Sequence, residues 1–287
     1  MKKIITIALL LFVSFSATAQ FGFFKKKSDV EKFKSTKVVV VLFMDSAYNA
    51  AVEFAMLRYW KFNEFEVAFD NELTQYKKKD VAYLVFSKSK GSKNKARLAS
   101  CEEDFNGLVL MNKFKRKALP EDILAQAFCS NDIDTADWNF EMQRAVQMMN
   151  NFMEYAIKVE RDADLSASKM MVDYPSDKNQ IFDKKLLVSD KTLELKGKKD
   201  ANDLFDGEVE EVDKDIIYRA VLDQDNSLLY TMCVKDEKYC NKLVISAQNS
   251  EIMYYDSSAP DKCKINNKDL EALNALKKSL SKKNSKN

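Results

Sequence analysis

Histidine is absent from this 287-residue sequence, and glycine (5 residues) and proline (3 residues) are scarce. The absence of histidine excludes Ser-His-Asp and Cys-His catalysis, His-ligated zinc and imidazole acid–base chemistry. The few glycines form neither a P-loop nor a G-x-G-x-x-G motif, which argues against the common phosphate-binding loops. The 5 cysteines include no C-x-x-C pair, which argues against thiol redox catalysis. We therefore expect no cofactor.

The first nineteen residues have the pattern of a secretory signal peptide. Lys2 and Lys3 precede an apolar run over 4–15, and Ala17-Thr18-Ala19 forms a small-residue cleavage site. No later segment approaches about 18 consecutive apolar residues, so we expect no transmembrane segment after cleavage. The pattern predicts an exported protein that is periplasmic, outer-membrane-associated or extracellular.

The composition after the signal peptide is typical of a globular protein. Over the whole sequence 46% of residues are hydrophobic and 31% are charged, with a net charge of +2. Acidic and basic residues alternate along the chain, so we expect no nucleic-acid partner. Composition divides the chain into a flexible lead-in (20–36), a first α/β half (37–160), a linker (161–184), a second α/β half (185–280) and a basic tail (281–287).

The first half alternates strand and helix patterns. A continuous apolar run from Lys37 to Met44 predicts a strand buried on both faces. Helical spacing then covers 47–62, and further strands are predicted over 65–69, 81–87 and 107–113, with a short helix over 70–78. Pro120 followed by acidic residues predicts a helix over 119–128. A longer helix over 138–160 carries an apolar stripe, which we expect to lie across the sheet of its own half; a Met-rich groove for a partner is the alternative.

The second half repeats this order of elements. Strands are predicted over 184–189, 207–212, 227–235, 241–248 and 251–256, with helices over 213–223 and 267–280. Asp70, Leu73 and Asp80 match Asp213, Ile216 and Asp223 at a constant spacing (213 − 70 = 143), and Phe69 matches Val212. The sequence therefore predicts an α/β or α+β fold of two similar sheet-plus-helix halves that arose by internal duplication.

The cysteines of an exported chain are candidates for disulfides. Cys233 and Cys240 flank a polar turn between two predicted strands, so a bridge across this hairpin is the first choice. The alternatives are Cys240–Cys263 and Cys101–Cys129, because spacing alone does not fix the connectivity.

Asp45 follows the first buried strand and precedes the first helix. An Asp at the carboxyl end of such a strand lies where open α/β sheets bind ligands, and it could serve as a nucleophile or a metal ligand. The "DSAYN" segment, however, has no second Asp two residues on and no glycine. We therefore interpret Asp45 as the N-cap of the helix, a role that explains every residue type present.

The most aromatic stretch is "LRYWKFNEFEV" (57–67), which contains Tyr59 and Trp60. These rings could form a platform for a carbohydrate or a peptide. Their position at a helix end and the start of the next strand favours instead a place in the core, between helix and sheet.

The segment "YNAAVEFAMLRYWKFNEFEVAF" (48–69) resembles a YN…YWKF segment of exported bacterial proteins of unknown function. The segments "KKLLVSDKTLEL", "DIIYRAVLDQDNSLLYTMCV" and "LVISAQNSEIMYYD" resemble the second halves of those proteins. The resemblance implies an envelope or secreted location and two related α/β halves. It implies no activity and assigns no functional residue.

The primary hypothesis is an exported, non-catalytic binding or scaffold protein of the bacterial envelope, with an envelope protein or a glycan as its partner. One alternative is a metal-dependent hydrolase that uses Asp45 and requires a second carboxylate within about 5 Å. The other is a carbohydrate or peptide binder that uses residues 57–67 and requires Tyr59 or Trp60 to be exposed.

Overall fold

The computed structural model describes residues 27–43, 45–76, 80–87, 100–101, 107–114, 117–118, 122–130, 137–158, 180–197, 200–235 and 240–284. The predicted signal peptide, most of the predicted linker and the last residues of the basic tail lie outside these ranges. Within the described ranges, no helix has the length and apolar character needed to cross a membrane. Part of the predicted lead-in forms a helix, α1 (Lys27–Phe33), whose residues Val30 and Phe33 are buried.

The first half contains a five-stranded mixed sheet. Its elements in chain order are β1 (Lys37–Leu42), α2 (Ser46–Tyr59), β2 (Phe65–Phe69), a 3₁₀ helix (Asp70–Tyr76), β3 (Val81–Ser87), β5 (Gly107–Met111), β7 (Ile123–Phe128) and α3 (Trp138–Lys158). The strand order is β2-β1-β3-β5-β7, with the first three strands parallel and the last two antiparallel. Two short strands, β4 (Ser100–Cys101) and β6 (Lys117–Ala118), pair outside this sheet.

The helix predicted over 119–128 is wrong, because residues Ile123–Phe128 form strand β7. The segment is rich in Leu, Ala and Gln, which are good helix formers, but helix propensity is a weak determinant compared with tertiary packing. Here the backbone pairs with β5, and Ala125 and Phe128 are buried.

The second half contains another five-stranded mixed sheet. Its elements are α4 (Gln180–Asp183), β8 (Lys185–Ser189), a 3₁₀ helix (Ala201–Asp203), β9 (Val209–Val212), α5 (Lys214–Leu222), β10 (Leu228–Lys235), β11 (Cys240–Ser246), β12 (Ile252–Ser258), a 3₁₀ helix (Pro260–Lys262) and α6 (Asn267–Asn284). The strand order is β9-β8-β10-β11-β12. The predicted architecture of two similar sheet-plus-helix halves is thus confirmed.

The two sheets share strand directions as well as strand order. In each half the first strand is parallel to the second and third, and each of the last three strands is antiparallel to its neighbour. An ion pair recurs at the same place: Lys37 Nζ lies 3.4 Å from Glu66 Oε2, and Lys185 Nζ lies 3.2 Å from Glu210 Oε2. The two pairs align the first and second strands of one half with those of the other.

The register continues through the remaining strands. Tyr83 lies opposite the third residue of β1, and Tyr230 lies opposite the third residue of β8. A β-bulge at Leu124 of β7, beside Met111 of β5, recurs at Met253 of β12, beside Ile245 of β11. Met111 and Ile245 lie opposite the two tyrosines. Bulges are specific features of a fold, so their recurrence at one register position supports the duplication hypothesis.

The register also corrects the alignment made from the sequence. The shared ion pair aligns Phe69 with Asp213, so the predicted matches at a spacing of 143 are one residue out in this segment. Burial agrees with the corrected alignment. Leu73 and Ile217 are both buried, whereas Ile216 is 47% exposed.

Helix α3 packs against both halves. On one side its Trp138 ring lies 5.0 Å from that of Phe86 on β3, so α3 covers the first sheet beside α2, as predicted. On the other side the Phe140 ring stacks on Tyr218 of α5, with centroids 4.0 Å apart. One hydrophobic core therefore extends from the first sheet through α3 to the facing side of the second sheet. A smaller core lies between the opposite side of that sheet and α6.

The disulfide joins Cys240 to Cys263, so the first choice, Cys233–Cys240, is wrong. Cys233 lies opposite Lys242 and Cys240 lies opposite Lys235, which makes the two cysteines diagonal neighbours. Diagonal neighbours in antiparallel strands are about 7–8 Å apart, too far for a disulfide. The Cα atoms of Cys240 and Cys263 are 5.1 Å apart. The alternative Cys101–Cys129 is also wrong, because Cys129 is a free, buried thiol.

We predict that a peptide map under non-reducing conditions links the peptides that contain Cys240 and Cys263. Replacing both cysteines by alanine should lower the free energy of unfolding by about 3 kcal/mol, because the bridge closes a loop across 23 residues. Chemical denaturation measures this loss. The control Cys233→Ala should keep the linkage, and a linked peptide pair containing Cys233 would contradict the assignment.

Candidate functional site

Asp45 caps helix α2. Its Oδ1 accepts hydrogen bonds from the backbone N–H of Ala47 (3.0 Å) and Tyr48 (3.1 Å), and its own backbone is extended. The side chain of Asn49 accepts from the N–H of Phe43 (2.9 Å) and donates to the carbonyl of Phe43 (2.7 Å). These contacts join the end of β1 to the first turn of α2, so the carboxylate of Asp45 is used for the turn itself.

We predict that Asp45→Asn leaves the free energy of unfolding nearly unchanged, because Asn caps a helix about as well as Asp. Asp45→Ala should cost about 1 kcal/mol, since two backbone N–H groups lose their acceptor. Thermal and chemical denaturation of the two variants measure the difference. Equal losses for Asn and Ala would show that the negative charge, and not the cap, is needed.

Tyr59 and Trp60 lie at the end of α2. Trp60 is 4% exposed, and its Nε1 donates a hydrogen bond to Asn63 Oδ1 at 2.8 Å. Tyr59 is half-buried, and burial raises its pKa although nearby Arg58 lowers it. The ring of Trp60 therefore belongs to the core, and the structure offers no exposed face of Trp60 as a platform.

A groove of about 500 Å³ opens on the opposite face of the first sheet, beneath the 3₁₀ helix Asp70–Tyr76. Its rim is polar and exposed, and is formed by Asp70, Thr74, Asp80, Asn112 and Lys113. Its floor is apolar and mostly buried, and is formed by Leu73, Tyr76, Val81, Tyr83 and Phe114. A groove of this size with an apolar floor and a polar rim has the anatomy of a binding site.

Aromatic rings form part of the floor of the groove. The rings of Tyr83 and Phe114 lie 5.9 Å apart at an interplanar angle of 55°. Burial raises the pKa of Tyr83, so its hydroxyl is neutral near pH 7. Burial and a hydrogen bond to Glu66 likewise raise the pKa of Tyr76. The floor therefore presents uncharged aromatic surface.

The corresponding face of the second sheet is not a groove, because α3 covers it. Tyr83 on the groove floor corresponds in register to Tyr230 of β10. The ring of Tyr230 lies 6.2 Å from that of Phe140 on α3. The groove is thus the first-half equivalent of a surface to which the chain already binds one of its own helices.

Polar contacts fix α3 on this surface. Gln143 Nε2 donates to the carbonyl of Val221 at the end of α5 (2.6 Å). Further along the helix, Gln147 Oε1 accepts from the Ser250 hydroxyl (2.7 Å), and the Asn151 amide donates to the carbonyl of Asn249 (2.8 Å). At its start, Asp137 forms an ion pair with Lys214 of α5 (3.2 Å).

A buried ion pair lies in the middle of this contact. Glu141 and Arg144 of α3 are fully buried and contact each other directly. Arg144 also donates to the carbonyl of Phe128 (2.6 Å), and Glu141 accepts from the N–H of Ser130 (3.2 Å). Burial opposes the charge of Arg144, but the adjacent Glu141 carboxylate holds its pKa above the ordinary value. Burial also raises the pKa of Tyr230, although Arg144 lowers it.

We predict that Arg144→Met lowers the free energy of unfolding by about 3–5 kcal/mol, because it leaves the Glu141 carboxylate buried without its partner. The double variant Glu141→Leu/Arg144→Met should lose less than the single variant, since no unpaired charge remains. Urea denaturation compares the variants. Lys185→Ala, which breaks only the ion pairs with exposed Glu208 and Glu210, is the control and should change the midpoint little. A double variant as unstable as the single one would contradict this account.

The site predicted from the sequence and the groove share no residue. Asp45, Tyr59 and Trp60 belong to the α2 side of the first sheet, whereas the groove lies on the other side. Asp70 and Thr74 lie on the 3₁₀ helix, Asp80 precedes β3, and Asn112 and Lys113 follow β5, and together they form no motif. The signal for the groove was the repeat, because Tyr83 on its floor lies at the position of Tyr230, which α3 covers.

Among the described residues, no group of three or more His, Cys, Asp or Glu side chains is placed to hold a metal ion. Comparison of the chain with protein-family models, curated proteins and solved structures gives no match.

Proposed function

We propose that this is an exported, non-catalytic scaffold protein of the bacterial envelope that binds a helix of a partner protein in the groove of its first half. The observation that carries this proposal is the repeat. The surface equivalent to the groove, in the second half, is covered by α3 with a stacked aromatic ring and several hydrogen bonds.

Helix binding explains the composition of the groove. Amphipathic helices bind in apolar grooves through a few anchoring side chains, while polar contacts at the rim fix their direction. The groove has an aromatic floor for such an anchor to pack on, with Tyr83 and Phe114 in contact, and a rim with both charges and an amide. Export is supported by the signal-peptide pattern at the start of the chain and is compatible with the disulfide between Cys240 and Cys263.

Site-specific photocrosslinking in the native envelope tests the proposal. A photoreactive amino acid in place of Lys113, on the rim of the groove, should give one protein adduct. The matched control replaces Lys268, an equally exposed lysine on α6, and should give no such adduct. Phe114→Glu should abolish the adduct formed at position 113, because it introduces a charge into the apolar floor.

Mass spectrometry of the adduct should place the crosslink within a helical segment of the partner. Equal adducts from positions 113 and 268, no adduct from position 113, or an adduct to a glycan would each contradict the proposal.

A further inference from the structure

The helix that covers the second half shows which chemistry the groove should select. Its first contact is the ion pair between Asp137 and Lys214, with the Asp137 side chain 6% exposed and the Lys214 side chain 35% exposed. Its second contact is Phe140, which stacks on Tyr218 at an interplanar angle of 17° and meets the ring of Tyr230 edge-on at 62°. An acidic residue and an aromatic residue three positions later thus form the recognition pattern for that surface.

The charge at the first contact is reversed in the groove. The register of β2 and β9 places Asp70 in the position of Lys214, and each is the first residue of the helix that follows its strand. Asp80, a second exposed carboxylate, also lies on the groove rim. An acidic residue at the start of a bound helix would be repelled here, and a basic residue would be attracted.

The second contact is retained only in part. The register that places Asp70 at Lys214 also places Thr74 at Tyr218, so the ring on which Phe140 stacks has no aromatic counterpart in the groove. Tyr83 occupies the position of Tyr230, and Phe114 adds a half-buried ring beside it. A ring placed as Phe140 is placed would therefore meet aromatic surface in both halves. At the far end of the rim Lys113 follows Met111, which pairs beside the bulge of β7, by two residues, as Ala247 follows Ile245, which pairs beside the bulge of β12. Ala247 lies close in the chain to Ser250, which binds Gln147 of α3. An acidic or amide residue suits this end.

We infer that the partner helix carries a lysine or arginine followed three positions later by an aromatic residue, with the basic residue at Asp70 and the ring packed on the contacting pair Tyr83 and Phe114. This inference rests on the proposed function. The partner class is a basic–aromatic amphipathic helix of another protein. The outer face of α6 does not fit this pattern in its described part, since Lys268 is followed three positions later by Glu271, and both are exposed.

Synthetic peptides test the inference directly. The host is an alanine-rich helix of about 20 residues, long enough to be helical, that carries phenylalanine, glutamine and glutamine at the places of Phe140, Gln143 and Gln147. One peptide has lysine at the place of Asp137, a second has aspartate, and a third has lysine but alanine in place of the phenylalanine. Their dissociation constants for the full exported chain are measured by fluorescence anisotropy.

The intact chain should bind the lysine peptide about threefold more tightly than the aspartate peptide at low ionic strength, as expected for a partly exposed ion pair. The difference in affinity should shrink at high salt.

Asp70→Lys should reverse the preference and Asp70→Asn should remove it, while both variants keep the circular dichroism spectrum of the parent. Asp206→Lys, at an exposed position of the second half, is the matched control and should leave the preference unchanged. The alanine peptide should bind at least about tenfold more weakly, because it lacks the anchor.

A preference for the aspartate peptide, a preference that Asp70→Lys does not reverse, or no binding of any peptide would overturn the inference. These outcomes are distinguishable from failure of the proposed function. A protein adduct at position 113 whose helix lacks the basic–aromatic pattern would keep the groove as a binding site and reject only the partner chemistry assigned here.

Discussion

The buried ion pair between Glu141 and Arg144 is the constraint on which the arrangement of the two halves depends. Fully buried charged side chains lower the stability of the folded state unless each is paired and hydrogen-bonded. The first half supplies the pair with partners from the end of β7, the Phe128 carbonyl and the Ser130 N–H. The second half supplies the cover, with Tyr218 and Tyr230 over the same region. Helix α3 therefore packs against both halves at once, and the larger core is continuous from the first sheet to the facing side of the second.

The duplication is regular in its strands and irregular in everything attached to them. The helix between the first two strands spans 14 residues as α2 but only 3 as the 3₁₀ helix Ala201–Asp203. The edges differ as well. Val67 and Phe69 of β2 are exposed, whereas the corresponding positions in the second half are Glu211 and Asp213. Charged residues at a sheet edge disfavour edge-to-edge pairing, and β9 carries two of them, Glu210 and Glu211, where β2 carries only Glu66.

Much of the fold could be predicted from the sequence, because local patterns determine its strands and most helices. The bounds of β2 and β3 match the predicted ranges 65–69 and 81–87.

Strand β7 was missed, because its Leu, Ala and Gln residues favour a helix when the pairing with β5 is not known. The disulfide Cys240–Cys263 was one of the alternatives but not the first choice, because spacing in a hairpin gives no distance, and Cys263 reaches Cys240 only through the turn after β12. The polar side of α3 has the pattern of a solvent-facing surface, and nothing local shows that Gln143 and Gln147 find partners in the other half. The groove has no local pattern at all, and only the comparison of one half with the other identifies it.

The position of α3 has a consequence for assembly. Helix α3 ends the first half and covers, in the second half, the face opposite to the one it covers in its own. A contact of this kind is head-to-tail, and repeated head-to-tail contacts between separate subunits form filaments unless they close into a ring. Two units joined in a single chain make this contact once. At the distal end Lys268 and Glu271 place charge on the outer surface of α6, so the last unit presents a polar exterior of the kind that terminates stacked arrays. The two halves therefore end in different surfaces. The outer surface of α6 in the second half is charged, whereas the groove in the first half is uncovered.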